Sequence, residues 1–369
     1  INFYDIVFTD LNMPEMDGME FIRKLGELNF TGAVVIISEM DHKVINLAAN
    51  LARHSNIHLV ANLAKPVQLS QVKTVLQKAK HLAVHTDLSH ASISEKALHE
   101  AINLNEIIPY YQPKINSQTS EIESIEVLAR IVKTHTGEII SPNRFISLSE
   151  QSGLINQITF SLFEQATSDL KAIRTNIAAH LKLAFNLSPT QLDDLSCPNK
   201  LMLILQLNEL SPSDIILEIT EQHALSSLSQ LETLNRLRMH GFGISLDDFG
   251  VGFTNMNQIK RLPFTEIKID RTLISNIETD QFSQVVVSSL VDIASQEQLA
   301  LVAEGVERAE ESLYLKNYRT NLAMQGFLFT CPKAKDDFIE WALNWVNTIT
   351  MILSGIPIII IPVCTPCSL

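Results

Sequence analysis

The chain is short of cysteine, of positive charge and of long apolar runs, and each shortage excludes something. Its four cysteines, at 197, 331, 364 and 367, are too few and too scattered among 369 residues to make a disulfide framework. A reducing, cytoplasmic setting is therefore expected. Cys364 and Cys367 have CxxC spacing, but zinc would need a second ligand pair and redox use would need a helix opening at the first thiol, so the pair reads as incidental. Lysine and arginine number 28 against 41 acidic residues, a formal net charge of −13. Such a balance repels polyanions, which excludes a general binder of polymeric nucleic acid or of an anionic membrane. A small anionic substrate would need a metal ion's help. The membrane-like segment Ile349 to Val363 is shorter than the ~20 residues of a spanning helix and carries Pro357 and Pro362, so residues 348–369 read as an apolar tail of no assigned role. No signal peptide opens the chain; Ile1 leads straight into an apolar strand-like run, and the expectation is a start inside a longer protein.

What is present is enough apolar material, 46% of residues, for the cores of two domains. Residues 4–9, 33–38 and 57–62 are β-branched apolar runs separated by amphipathic stretches near 16–27 and 41–54, with a last helical stretch near 68–82. Alternating strands and helices imply a parallel sheet. Asp10 ends the first run, Ser38 the second, and Lys65 follows the third, so three polar groups are expected at the carboxyl edge of one sheet, where α/β ligand sites lie. Residues 83–97 are polar and without clear period, and 83–102 reads as a linker.

From about Asn103 the pattern becomes eight apolar runs, each ending in a polar or charged residue: 109–113, 122–130, 181–188, 214–221, 244–250, 266–270, 299–305 and 324–329. Stretches such as Leu228 to His240 and Phe282 to Gln298 have helical length and spacing. Strand and helix alternating over this length is the pattern of a (β/α)8 barrel of TIM type, in which the carboxyl ends of all strands share one mouth. Glu126, Asn186, Glu218, Asp247, Asp248, Lys268, Glu304 and Gln325 would meet there. The sharpest local feature is GISLDDFGVGFTN at 243–255, a strand that ends in two adjacent carboxylates and a glycine loop. So many carboxylates facing one another need compensation, and Lys268 supplies only one positive charge. All-oxygen donors select Mg²⁺ or Mn²⁺ over zinc, and two such ions form a usual apparatus for in-line phosphodiester hydrolysis. Asp270 either points the same way by strand alternation or caps a helix, and Glu307 either braces Glu304 or is an exposed helix acid.

Two resemblances carry these residues further. DLNMPEMDG at 10–18, VVIIS at 34–38 and AKP at 64–66 resemble the second half of a response-regulator receiver domain. The likeness implies a partial flavodoxin-like fold over 1–82, with Asp10 as phosphate acceptor, Ser38 as the hydroxyl that follows the phosphoryl group, Lys65 as its counter-charge, and an upstream sensor histidine kinase as partner of the full-length protein. The family's first strand and metal-holding acidic pair fall outside the sequence. Residues 103–347 resemble an EAL-family phosphodiesterase, with the naming motif as EVLAR at 126–130. That resemblance implies cyclic di-GMP as substrate and linear pGpG as product. Glu126, Asn186, Glu218 and Asp247 would ligate one metal, and Asp247 with Asp248 would serve a second. Lys268 and Glu304 would handle the attacking water, Gln112 and Arg130 would touch the substrate, Gln325 would orient the site, and Glu221 would anchor the glycine loop. A homo-oligomer is expected. The alternatives are a catalytically silent EAL-type sensor of the same dinucleotide and a glycoside hydrolase using Glu218 and Glu304; the second leaves Asn186, Asp248 and Lys268 without work.

Overall fold

The structure is a computed structural model that describes residues 4, 6–28, 30, 32–38, 57–69, 71–73, 75–76, 93–220, 227–250, 256–318, 320 and 322–353. The chain divides into two compact units, Ile1–Ser92 and Ile93–Leu369.

In the first unit β1 (Ile6–Asp10), β2 (Ala33–Ser38) and β3 (His58–Ala64) form a parallel sheet in that order. The central strand, AVVIIS, is apolar along its length because both of its faces are covered. Helix Gly18–Glu27 starts where the Asp17 side chain accepts from the Glu20 amide, and it buries Ile22 and Leu25 against Val34 and Ile36. Gly18 is fixed by crowding: a Cβ there would lie 2.3 Å from the Asp10 carbonyl oxygen and 2.7 Å from Leu11 Cα. Within the expected 68–82 helix, Val75 packs on Val35 and Leu63; the helix expected over 41–54 lies outside the described residues.

The second unit is a closed barrel of eight strands. These are β4 (Ile107–Asn116), β5 (Ile122–Val132), β7 (Lys182–Asn186), β8 (Ile215–Thr220), β9 (Gly243–Phe249), β10 (Glu266–Ile269), β11 (Ala300–Ala303) and β12 (Leu322–Met324); the two-residue β6 (Ile139–Ile140) is appended to β5. Seven of the eight expected runs supply a strand; the eighth, 324–329, contributes only Met324 to β12 and is otherwise turn. A second expectation fails: β4 pairs antiparallel with both neighbours, β5 and β12, so its carboxyl end points away from the mouth. The cause is the link between β4 and β5. A parallel crossover takes a dozen or more residues. Here Asn116 Oδ1 accepts from the amides of Gln118 and Thr119 at 2.7 and 2.8 Å, and Ser120 adopts φ +62°, so the chain turns straight back. The other strands run parallel, with helices between them such as Leu228–His240 and Gln281–Glu297.

Helix Glu95–Asn103, in the stretch that reads as linker, buries Leu98 and Ala101 in the barrel core. Residues 83–92 lie outside the described residues. Helix Lys335–Leu353 lays Phe338 tilted against Tyr111 with ring centroids 5.9 Å apart, and Trp345 Nε1 donates to the Ser120 carbonyl. It takes in the first residues of the apolar tail, while 354–369, including Cys364 and Cys367, lie outside the described residues. Among the described residues no helix is long and apolar enough to cross a membrane.

Candidate active site

β9 and β10 build the centre of the barrel mouth. Ile267 pairs with Leu246 and Ile269 with Phe249, so Lys268 alone stands opposite both Asp247 and Asp248. In a regular strand these neighbouring carboxylates would point to opposite faces. The extra residue is a β-bulge, Asp248 takes φ +57°, and the second side chain is re-aimed. Oxygens of Asp247, Asp248 and Glu304, the last lying just beyond β11, come within 4.8 Å of one another.

Lys268 sits at the focus, 1% exposed. Its Nζ lies 2.8 Å from Glu304 Oε1, 2.9 Å from Glu218 Oε2, 3.0 Å from Asp247 Oδ1 and 3.6 Å from Glu126 Oε2. Burial alone would strip its proton, but the surrounding acids hold the ammonium charged well above the usual lysine range. Those acids are not all satisfied by one cation. Burial, reinforced by Glu218 and Asp247, pushes the Glu126 carboxyl up to about 7. Burial with Asp247 and Glu126 nearby raises Glu304 well above the carboxylate range, against the pull of Lys268. Glu218 goes the other way: burial would raise it, yet Lys114 and Lys268 together bring it to about 2.

Lys114 is the residue that sequence reasoning missed, together with Glu266. The barrel holds a second ammonium, fully buried, with Nζ 2.7 Å from Glu218 Oε1 and 2.8 Å from Glu266 Oε1. The expectation that Lys268 is the one positive charge among these acids is thereby corrected. Strand alternation carried the signal: Lys114 is two residues past Gln112 on β4 and Glu266 two before Lys268 on β10, so each faces inward with its neighbour.

Amides complete the cluster. Asn186 Nδ2 donates to Glu126 Oε1 at 3.0 Å, and Gln325 Nε2 donates to Glu126 Oε2 at 2.5 Å and to Gln112 Oε1 at 3.0 Å. Gln112 in turn donates to the Thr330 carbonyl at 3.0 Å. Gln325 Oε1 is buried without a hydrogen-bond partner. Gln112, Glu126, Glu304 and Gln325 line a cavity of about 260 Å³ with Phe327 and Arg271 at its sides. A second cavity of about 340 Å³, mostly apolar, reaches Glu126, Asn186 and Glu218 from the side of Ile155, Leu162 and Phe185. Arg130 lies over the Tyr110 ring at 5.7 Å and donates to the Ala129 carbonyl; it lines neither cavity. Asp270 is a helix cap, accepting from the Thr272 amide at 2.8 Å, while Glu307 pairs with Arg271 at 2.6 Å rather than with Glu304. Glu221 and residues 251–255 of the glycine loop lie outside the described residues.

The donor set fits a hard divalent cation. Asp247, Asp248 and Glu304 converge on one point, burial among like charges raises the carboxyls of Glu304 and of neighbouring Glu126, and every candidate ligand atom is oxygen.

In the first unit Asp10, Ser38 and Lys65 meet at one sheet edge as expected. Lys65 Nζ lies 2.5 Å from Asp10 Oδ2, the Asn12 amide donates to Oδ1 at 3.1 Å, and Ser38 is buried at the end of the adjacent strand. The hydrogen bond from Lys65, with that from Asn12, holds the Asp10 carboxyl below its usual range.

A closed α/β barrel with an all-oxygen acidic mouth, joined to a parallel-sheet unit with an Asp–Lys edge, defines a class that the comparisons make specific. Residues 95–332 match the EAL domain and residues 2–77 the response regulator receiver domain. The chain belongs to the EAL family and carries a receiver domain ahead of the barrel. It is 30% identical over 341 residues to the cyclic di-GMP phosphodiesterase RocR of Pseudomonas aeruginosa, covering 91% of this chain and 86% of RocR. It is 33% identical over 252 residues to the probable cyclic di-GMP phosphodiesterase PdeG of Escherichia coli, covering 68% of this chain and 49% of PdeG. The solved complex of the PaMucR phosphodiesterase with c-di-GMP is 32% identical, with a TM-score of 0.61 over 66% of this chain and 98% of that one.

Proposed function

We propose that the chain is a divalent-metal-dependent phosphodiesterase that hydrolyses cyclic di-GMP to linear pGpG, with the receiver unit as its regulatory input. The observation that carries this is the convergence of Asp247, Asp248 and Glu304 beside Lys268 in a barrel of the EAL family. Glu126, Asn186, Glu218 and Asp247 would hold one Mg²⁺ or Mn²⁺, and Asp247 with Asp248 a second. Such ions, when bound, polarise the phosphoryl oxygens and activate water at neutral pH. The chain's own groups do the rest. Glu304, 2.8 Å from Lys268 and beside Asp247 and Asp248, would take a proton from the attacking water, and Lys268 would steady the negative charge that grows on the phosphoryl group. Gln325, braced by Gln112, fixes Glu126, both glutamines line the substrate cavity, and Arg130 would touch the substrate's guanine or phosphate. Glu221 would anchor the glycine loop. Asp10 would accept a phosphoryl group from a sensor kinase, with Lys65 as counter-charge and Ser38 as the following hydroxyl.

A sensor that binds cyclic di-GMP without turning it over is the rival within the same family, and it is disfavoured because each expected ligand is present in the chain. The deciding experiment incubates the purified 369-residue chain with cyclic di-GMP and Mg²⁺ or Mn²⁺, with a chelator arm. The expected result is pGpG, resolved by chromatography, with none formed under chelation. Tight binding with no product in either metal would favour the sensor.

A further inference from the structure

Glu218 divides its two oxygens between two lysines at different depths. Oε2 accepts from Lys268 at 2.9 Å on the mouth side, and Oε1 accepts from Lys114 at 2.7 Å. Because β4 runs backwards, Lys114 lies one inward-facing position below Gln112, opposite Ser124 of β5. Its side chain is 0% exposed, so it does not touch substrate. A lysine buried for packing needs one counter-ion, and Glu266 at 2.8 Å already provides it. The bond to Glu218 is therefore an additional constraint, and it falls on a carboxylate assigned to the metal.

We propose that Lys114 is a positioning residue that locks Glu218 as a one-oxygen ligand and thereby tilts the site toward small octahedral cations and away from Ca²⁺. This rests on the metal-dependent reading given above. Ca²⁺ takes 6–8 oxygens at flexible angles and readily accepts a carboxylate through both of its oxygens, whereas Mg²⁺ demands a near-ideal octahedron that single-oxygen ligands satisfy. With Oε1 held in the layer below by Lys114, Glu218 presents to the mouth only Oε2, the oxygen that Lys268 already shares. Glu266, whose side chain is 8% exposed, steadies Lys114 from the other side.

The test is isothermal titration of the full chain with MgCl₂ and with CaCl₂, without nucleotide. Wild type is compared with Lys114→Met and with the double variant Lys114→Met/Glu266→Met, which replaces the ion pair by apolar groups of similar length and is the version expected to fold if the single variant does not. In both variants the ratio of the Ca²⁺ to the Mg²⁺ dissociation constant is expected to fall by about tenfold, since the freed Oε1 can join Oε2 on the larger ion. A folded variant that loses thermal stability but keeps the wild-type ratio would overturn the proposal, because a purely structural lysine moves the first and not the second. A ratio that shifts in the single variant and returns in the double would also overturn it, by tracing the shift to a stranded Glu266. Wild type that takes up neither ion would remove the metal reading itself, and this inference with it.

Discussion

Asp10 with Lys65 and Asp247 with Lys268 are the same two groups placed at the carboxyl ends of parallel strands, yet their surroundings give them different chemistry. At the open edge of the three-stranded sheet the lysine and aspartate side chains are 36% and 26% exposed, so water screens the pair. Inside the closed barrel the corresponding figures are 1% and 10%, and the lysine is shared among Glu126, Glu218, Asp247 and Glu304. Water screens an exposed pair and leaves it worth little, but a buried cluster must balance its charge from its own groups or from a bound cation. An open edge therefore suits a carboxylate that is to be modified and released. A closed mouth with more acids than bases suits one that holds an ion.

The largest test of this contrast is Asp247→Asn. Removing the carboxylate that faces both Lys268 and Glu304 is expected to lower kcat at least about 10³-fold, or roughly 4 kcal/mol, while circular dichroism stays that of the folded barrel. Retention of more than about a tenth of the activity, a loss under ~1.4 kcal/mol, would take Asp247 out of the metal site. Next is Lys268→Met, which strands buried acids. Urea unfolding without divalent metal is expected to show a loss of about 3 kcal/mol, and millimolar Mg²⁺ should restore much of it by binding the folded state. A Lys268→Met stability that Mg²⁺ leaves unchanged would mean that the acids do not take up a cation.

A smaller effect is expected from Gly18→Ala, where the added methyl meets the backbone of Asp10 and Leu11. The first unit should lose about 2 kcal/mol, read as faster hydrogen exchange in β1 and β2, with the amides of β9 unchanged. Smallest is Lys65→Met, expected to change stability at neutral pH by less than about 1 kcal/mol. Its signature is in the pH dependence. Because the Asp10 carboxyl lies below its usual range in the folded protein, its stabilisation is present above the ordinary carboxylate pKa and lost as pH falls through the lowered one. Lys65→Met should flatten that acid limb, and an unchanged limb would mean that the pair contributes nothing to folding.

Much of this was legible in the chain. Seven of the eight apolar runs became strands, because a barrel strand buried on both faces leaves a run of apolar residues and a polar terminus whatever its partner, while the run at 324–329 meets β12 only at Met324. The edge residues Asp10, Ser38 and Lys65 came together for the same reason. The reversal of β4 was legible in principle, since the stretch between residues 113 and 122 is too short for a crossover helix. Expecting strict strand–helix alternation hid it. Lys114 and Glu266 were missed because the runs were read for their ends, whereas these residues occupy the layer below. The β-bulge at Asp247 and Asp248 had no local signal: two adjacent aspartates look the same whether the second faces out or is turned back, and only the pairing with Lys268 on another strand decides. The pairing of Glu307 with Arg271 likewise depends on a loop geometry that residue spacing does not encode.

The reversed strand also sets a timetable. β4 closes the barrel by pairing with β12, and Gln325 reaches back 213 residues to Gln112 and 199 to Glu126. At a synthesis rate of about 5–20 residues per second, Gln112 leaves the ribosome on the order of 10 to 40 s before the partner that completes its network. Throughout that interval one edge of β4 has no neighbour, and Glu126 lacks the amide that ties it to Gln112. An unpaired strand edge is a template for other chains. The arrangement that gathers the site from both ends of the barrel thus leaves the newborn chain with an open strand edge until its last strand arrives.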